Sequence, residues 1–148
     1  MFRFEAQNNF SSCKTEIISY NMKKNIIQTK HAPAAIGPYS QAAKAGNLVF
    51  VSGQIPIDPE TGTVIIGGIE AATHRVMKNI ESILEAAGCS FDNVVKTTIF
   101  IKNMDDFTKI NAVYASYFSG TFPARETVEV SRLPKDVEIE ISVIASLD

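Results

Sequence analysis

A strand–helix–strand unit in the second half of the chain limits the fold more than any other feature of the sequence. The run 94–102 is rich in β-branched and aromatic residues, which is typical of a β-strand. Asn103 then caps a helical pattern with Asp105 and Asp106 in its first turn, and a second β-like run covers 126–133. Because parallel strands need a crossover connection of this kind, we expect the two strands to be parallel and the crossover to be right-handed.

The complete pattern predicts an α+β domain with the element order β-β-β-α-β-α-β-β and a mixed sheet that carries two helices on one face. Apolar residues recur at helical spacing over 69–87, and Gly88 is a natural residue to end that helix. The predicted strands cover 25–29, 39–44, 48–52, 94–102, 126–133 and 137–145. We do not expect the last two strands to form a simple hairpin, since the final strand can insert elsewhere in the sheet.

Three of the predicted strands are apolar at successive positions instead of alternating. These runs are 48–51, 99–101 and 143–145. Two helices cover only one face of a sheet, and a strand that exposes its other face to water should alternate more cleanly. We therefore expect the second face of the sheet to meet another subunit, and we predict a homo-oligomer.

Composition disfavours several classes of function. The net charge of −2 comes without a lysine or arginine run that could form a nucleic-acid-binding stripe. Two cysteines, Cys13 and Cys89, and two histidines, His31 and His74, show no metal-ligand spacing. We expect neither a metal site nor a structural disulfide, and the cysteine usage indicates a reducing, cytoplasmic location. No apolar run approaches the ~20 residues of a membrane span.

The first residues differ in character from the rest of the chain. Residues 1–21 are polar and lack clear periodicity, which predicts a disordered tail or an extension upstream of the natural start. Glu5 and Glu16 disfavour a mitochondrial transit peptide, because such peptides are poor in acidic residues. Met22 is the expected natural start, and 22–148 is expected to be a single domain.

One arginine is a candidate ligand-binding group. Arg125 follows Pro123 at the expected start of a strand, where the fixed φ of proline limits the backbone. A guanidinium held there is a permanently charged fork that matches a carboxylate. The last strand places Glu138, Glu140 and Ser142 on one face. Together they suggest a site for a small acid, although each residue alone is more typical of a solvent-exposed strand position.

Four short motifs occur in order and at domain-scale spacing. They are Ile36-Gly37-Pro38-Tyr39-Ser40-Gln41, Val51-Ser52-Gly53-Gln54-Ile55-Pro56, Pro123-Ala124-Arg125 and Leu133-Pro134-Lys135-Asp136-Val137-Glu138-Ile139-Glu140. Each motif alone is weakly specific, but together they closely resemble the Rid family of reactive intermediate deaminases, also called the YjgF family. The resemblance covers about 23–147, which is essentially the whole predicted domain.

The resemblance implies a chorismate-mutase-like fold assembled as a homotrimer, with sheets inside, helices outside and clefts between subunits. It also implies hydrolysis of reactive 2-imino or enamine acids, such as 2-iminobutanoate and 2-iminopropanoate, to 2-keto acids and ammonia. Pyridoxal-phosphate dehydratases that act on threonine or serine release such imines, which implies a functional link to those enzymes. No metal or organic cofactor is implied.

The same resemblance assigns roles to residues. Arg125 matches the arginine that binds the substrate carboxylate, and Glu140 matches the glutamate that orients water. Tyr39, Ser52 and Gly53 match positions that line the cleft.

Two further positions carry less specific matches. Asn111 corresponds to another substrate-binding position of the family. Thr127 stands where many bacterial members carry cysteine. If that position acts through its backbone carbonyl, threonine serves equally, whereas a requirement for the thiol would put the activity in doubt.

Two other classes of function stay open. Arg125 would also suit a regulatory module that only captures a small carboxylate. A ribonuclease or translation inhibitor is the third reading, because some family members are associated with that activity. The net charge of −2 and the lack of a basic stripe disfavour it.

Overall fold

A computed structural model describes residues 24–148, so the expectations for 1–21 and for a start at Met22 lie outside the described residues. The described chain folds into one six-stranded sheet and two α-helices. The strands are β1 (Asn25–Ile27), β2 (Ala42–Ala45), β3 (Leu48–Gln54), β4 (Val94–Ile101), β5 (Ala124–Glu129) and β6 (Ile139–Ser146). The helices are α1 (Gly68–Ala86) and α2 (Phe107–Ala115), with 3-10 turns at Phe91–Asn93, Met104–Asp106 and Pro134–Asp136. The predicted α+β element order is confirmed.

The strand order across the sheet is β1-β2-β3-β6-β4-β5. Strands β4 and β5 are parallel, as the strand–helix–strand pattern predicts, and Thr97 lies opposite Arg125. Strand β6 inserts between β3 and β4 and is antiparallel to both. The last two strands therefore do not pair with each other, and Glu140 lies opposite Phe100 in the middle of the sheet.

The helices begin and end close to their predicted limits. Helix α1 buries an apolar stripe that includes Val76, Ile80 and Ile83, and Gly88 follows it with φ 81°. Asn103 accepts a hydrogen bond from the backbone N–H of Asp105 at 3.0 Å, and a 3-10 turn then leads into α2. Neither described helix combines the length and apolar character needed to cross a bilayer.

Strand β2 begins at Ala42, later than predicted, because residues 39–41 form a turn and bond mainly outside the sheet. Among them the carbonyl of Gln41 still pairs with β3, since it accepts from the backbone N–H of Ser52 at 3.0 Å. The backbone N–H of Tyr39 donates to the carbonyl of Gly37 at 2.9 Å, which makes a tight turn. The buried Gln41 side chain donates to three backbone carbonyls within 29–33. These bonds replace the ladder pairing that a longer strand would need.

The last two strands are shorter than predicted. Strand β5 ends at Glu129 because its partner β4 ends at Ile101 and offers no further ladder. Strand β6 begins at Ile139, after a turn in which Lys135 and Asp136 have positive φ angles of 56° and 57°. Residues in that left-handed conformation cannot belong to a strand.

The two faces of the sheet differ in what covers them. On the helix-bearing face, alternate residues of β3, β4 and β6 form the core with α1 and α2. On the opposite face, Phe50 is 43% and Val128 is 44% exposed, and Phe100 and Ile144 are half-buried. Neither helix packs on that face, and its apolar residues agree with the predicted oligomer. The homotrimer itself stays a prediction.

Candidate active site

Arg125 lies on the edge strand β5, on the helix-bearing face of the sheet. Its Nη1 donates a hydrogen bond of 2.6 Å to Oδ1 of Asn111 on α2. Its guanidinium carbon lies 5.6 Å from the ring centre of Phe107 and 5.1 Å from that of Tyr114. Asn111 is the only hydrogen-bond acceptor that residues 24–148 provide to this guanidinium, so Nε and Nη2 are open to a ligand.

A pocket of about 440 Å³ adjoins the guanidinium. Asn111, Tyr114, Phe122, Pro123 and Arg125 line it, and we call this group the arginine site. Burial raises the pKa of the Tyr114 hydroxyl, and the hydrogen bond with Thr97 and the charge of Arg125 offset part of that rise. The hydroxyl therefore stays protonated and donates to Oγ1 of Thr97 at 3.0 Å.

Glu140 lies on the central strand β6, on the face without helices, at the edge of a second and larger cavity. The cavity has a volume of about 850 Å³, and Tyr39, Ser52, Gly53 and Glu140 all line it. We call it the glutamate cavity. Its other walls are largely apolar and include Pro33, Ile36, Ile55, Ile57 and Pro134. Burial raises the pKa of the Glu140 carboxyl, which favours proton exchange closer to neutral pH than is usual for glutamate.

Gly53 makes room for the Glu140 side chain. A Cβ atom at residue 53 would lie 1.8 Å from Oε1 and 2.7 Å from Cδ of Glu140. The pairing of β3 with β6 shifts register between Val51 and Gln54, so the glycine sits at an irregularity of the ladder. The absence of a side chain at Gly53 thus lets the Glu140 carboxyl lie against the backbone of β3.

Ser52 and Tyr39 form the side of the glutamate cavity nearest β2. The Ser52 hydroxyl donates to the carbonyl of Ser40 at 2.7 Å, so its proton is engaged and its oxygen remains an acceptor. Tyr39 is 52% exposed, and its hydroxyl makes no hydrogen bond within the described part of the chain. Tyr39 therefore offers a donor at the mouth of the cavity.

The residues singled out from the sequence thus fall into two groups on opposite faces of the sheet. Side chains alternate along β4, and Thr97, opposite Arg125, faces the helices while Phe100, opposite Glu140, faces away from them. Asn111 lies with Arg125, whereas Tyr39, Ser52 and Gly53 lie with Glu140. One copy of the chain therefore cannot bring Arg125 and Glu140 to the same small molecule.

Thr127 lies two residues beyond Arg125 and opposite Ile99. Its buried Oγ1 has no hydrogen-bond partner among residues 24–148. Thr127 does not line the pocket at the arginine site.

Sequence reasoning missed two kinds of residue at the site. It did not assign Phe107 or Tyr114 to the arginine site, since aromatic residues at helical spacing indicate a core stripe first. It also gave Gln41 no role, although Gln41 belongs to one of the four motifs. Its side chain ties residues 29–33 to β2, and so fixes the Pro33 wall of the glutamate cavity.

No group of three or more His, Cys, Asp or Glu side chains within 24–148 is arranged to hold a metal ion.

Comparison with known proteins identifies relatives over most of the chain. The family model described as Endoribonuclease L-PSP matches residues 29–147. A RutC family protein of Pyrococcus horikoshii is 58% identical over 122 residues, which cover 82% of this chain and 97% of that protein. The 2-iminobutanoate/2-iminopropanoate deaminase of Salmonella typhimurium is 50% identical over 122 residues, covering 80% of this chain and 94% of that protein.

The fold also matches solved structures. The crystal structure of E. coli TdcF with bound serine superposes with a TM-score of 0.79 at 43% identity. The match covers 82% of this chain and 98% of that one. Sequence, family model and fold agree over the same span, and they confirm the predicted Rid-type α+β fold. The chain belongs to the Rid (YjgF) family.

Proposed function

We propose that the protein hydrolyses reactive 2-imino and enamine acids, such as 2-iminobutanoate and 2-iminopropanoate, to 2-keto acids and ammonia. The observation that carries the proposal is the Arg125 guanidinium, which is held by two rings and an amide while Nε and Nη2 stay open to a carboxylate. The named deaminase of Salmonella typhimurium shares 50% of its aligned residues with the chain. The serine bound to TdcF carries the same kind of α-carboxylate.

The proposal includes a homotrimer in which the arginine site of one subunit meets the glutamate cavity of its neighbour. Two observations support it. Arg125 and Glu140 lie on opposite sheet faces, and the face that bears Glu140 carries exposed apolar residues that neither helix covers. When one patch of a subunit binds a different patch of the next subunit, the contact repeats from subunit to subunit and can close into a ring. The number of three subunits rests on family membership.

Hydrolysis of the imine requires that substrate and water be positioned and that protons be transferred between them. Arg125 binds the carboxylate side-on, and Glu140 of the neighbouring subunit holds a water against the electrophilic imine carbon. As the water oxygen bonds to that carbon, Glu140 accepts a proton. It returns that proton to nitrogen, which gives the carbinolamine. Glu140 then takes the proton of the new hydroxyl group and passes it to the amino nitrogen, so the C–N bond breaks, ammonia leaves, and the carbonyl of the 2-keto acid forms. Tyr39 can donate a hydrogen bond to the substrate at the cavity mouth.

The raised pKa of Glu140 suits both its acceptance of a proton from water and its donation of a proton to nitrogen. Burial is its cause, and a carboxyl with a pKa nearer to neutrality is a better proton donor and acceptor at physiological pH. Pyridoxal-phosphate dehydratases acting on threonine or serine would supply the substrate. We propose a cytoplasmic location together with those enzymes.

The proposed reaction can be tested with imine that is generated in the assay mixture. A threonine dehydratase generates 2-iminobutanoate in the presence of semicarbazide, which traps the imine and competes with its hydrolysis. We expect the protein to raise 2-oxobutanoate formation and lower trapping in proportion to its concentration. If the protein leaves trapping at the level seen without it and binds 2-oxobutanoate saturably, the result would instead favour the regulatory carboxylate-binding module.

The hypothesis that the protein is a ribonuclease has a separate test. The family model carries an endoribonuclease description, but the net charge of −2 provides little attraction for RNA. RNA cleavage that persists through extensive purification and in an Arg125→Ala variant would support that activity. Cleavage that separates from the protein on purification would leave the deaminase proposal in place.

Gly53→Ala is expected to lower kcat by roughly 10- to 100-fold, because the new methyl group displaces Glu140 from its position. The free energy of unfolding should change by only about 1 kcal/mol, since the end of a flexible side chain can move aside. Steady-state kinetics and urea unfolding measure both effects. In a Glu140→Gln background the same alanine should cost little further activity; equal losses in both backgrounds would contradict the role given to Gly53.

Glu140→Gln is expected to raise thermal stability in mildly alkaline buffer while it removes turnover. Because burial raises the pKa in the folded chain, the folded state holds this proton more tightly than the unfolded state. Both states are protonated in strong acid, and the destabilising effect of ionisation grows as pH rises through the folded pKa. The Tm difference between variant and wild type should therefore increase with pH. A difference that does not change with pH would contradict the perturbed carboxyl.

A further inference from the structure

The three groups that hold Arg125 come from one face of one helix. Phe107, Asn111 and Tyr114 follow each other at intervals of four and three residues on α2, the spacing of neighbours along a helix surface. Oδ1 of Asn111 accepts a hydrogen bond from Nη1 of Arg125 at 2.6 Å. The rings of Phe107 and Tyr114 lie 5.6 and 5.1 Å from the guanidinium carbon. Both ring distances are within the range of a cation–π contact.

The same arrangement is fixed to the sheet through Thr97. Thr97 lies opposite Arg125 in the parallel β4–β5 pairing, and its hydroxyl accepts the hydrogen bond of Tyr114 at 3.0 Å. Thr97 is 0% and Tyr114 is 3% exposed, so neither is free to move without disturbing the core. One buried residue thus neighbours the backbone of Arg125 and also holds the ring that its guanidinium contacts.

We infer that Phe107, Asn111 and Tyr114 form a guanidinium cradle that positions Arg125 before substrate arrives, with Thr97 as its anchor. The inference rests on the proposed function and adds positioning residues to it. Only Arg125 touches the carboxylate, and the cradle acts through it by leaving Nε and Nη2 as the binding edge. A long side chain on an exposed edge strand would otherwise lose rotamer freedom each time it binds.

The first test separates binding from turnover. Tyr114→Leu removes one ring and should raise the KM for 2-iminobutanoate by roughly 2- to 30-fold, as expected for one cation–π contact. Its kcat should stay within about twofold, because the variant still has Glu140 and its water. Tyr114→Phe keeps the ring, loses the bond to Thr97, and should raise KM less.

Tyr117 provides the matched control. It belongs to the same aromatic cluster, but its hydroxyl bonds to His74 instead of approaching Arg125. Tyr117→Leu and Tyr117→Phe should leave KM unchanged. Should Tyr114→Leu fail to fold, Phe107→Leu removes the other ring at a half-buried position and must show the same rise in KM.

The second test asks whether the cradle recognises a guanidinium that is not part of the chain. Millimolar guanidinium chloride should restore part of the activity of Arg125→Ala, at least tenfold over that variant alone, and the rescue should saturate. Urea, a neutral molecule of the same shape, and sodium chloride of equal ionic strength should give none. In Arg125→Ala combined with Tyr114→Leu, half-maximal rescue should need roughly 2- to 30-fold more guanidinium.

Two results would overturn the cradle: the same KM in Tyr114→Leu and Tyr117→Leu, or guanidinium rescue that needs no higher concentration once the Tyr114 ring is lost. Affinity for 2-oxobutanoate, measured by calorimetry, reports on the cradle without turnover. If wild type binds 2-oxobutanoate and Tyr114→Leu weakens that binding, the cradle stands even where imine hydrolysis is absent. If wild type hydrolyses imine and the Tyr114 variants match it, the function stands and the cradle fails.

Discussion

Arg125→Ala is expected to lower kcat/KM for 2-iminobutanoate by roughly 10²- to 10⁴-fold, the loss of two hydrogen bonds between charged groups at about 1.5–3 kcal/mol each. Nε and Nη2 are the donors that remain open when Asn111 has taken Nη1. In the proposed reaction, a carboxylate that meets neither donor keeps its hydration shell, and the imine carbon is no longer held near the water that Glu140 orients. The loss should therefore appear in KM and in kcat.

Two further variants make the result specific. Arg125→Lys keeps the charge but loses the planar fork, so it should recover only a small part of the activity. Lys109→Ala removes another positive charge from α2, from a side chain that is 60% exposed and pairs with Asp106, and should leave the kinetics unchanged. Activity of Arg125→Ala close to that of wild type would remove Arg125 from the mechanism.

The division of the site between two sheet faces shows what local sequence patterns can and cannot predict. Periodicity located both helices and the parallel strand pair, because burial of one helix stripe and the need for a crossover are local requirements. Whether Arg125 and Glu140 share a face depends on where β6 inserts and on its register with β4. Those depend on contacts distant in sequence, which no local pattern encodes.

Two features of the site illustrate the same limit. Gly53 reads as the end of a strand in the sequence, whereas in the fold its missing side chain makes space for a carboxyl from residue 140. Tyr114 reads as one more apolar residue of a helix stripe, and it is buried as that pattern predicts. Its ring nevertheless lies 5.1 Å from the guanidinium carbon of Arg125, because β5 pairs with β4 and Tyr114 bonds to Thr97 of β4.

Subunit mixing is expected to restore activity to two inactive variants. Arg125→Ala and Glu140→Gln should each be nearly inactive alone. If every site takes Arg125 from one subunit and Glu140 from the next, a random one-to-one mixture returns both groups to about a quarter of the sites. The mixture should therefore reach about a quarter of the wild-type kcat once the subunits have exchanged.

The mixing experiment tests the geometry and not just the presence of the two residues. Each variant is unfolded in denaturant and refolded alone, in a one-to-one mixture, and with wild type, and kcat is followed as exchange proceeds. A site built within one chain would give no recovery, because neither variant has both groups. The opposite-face positions of Arg125 and Glu140 exclude such a site in this fold. A mixture that assembles fully and stays inactive would therefore show that Arg125 and Glu140 do not act on one substrate.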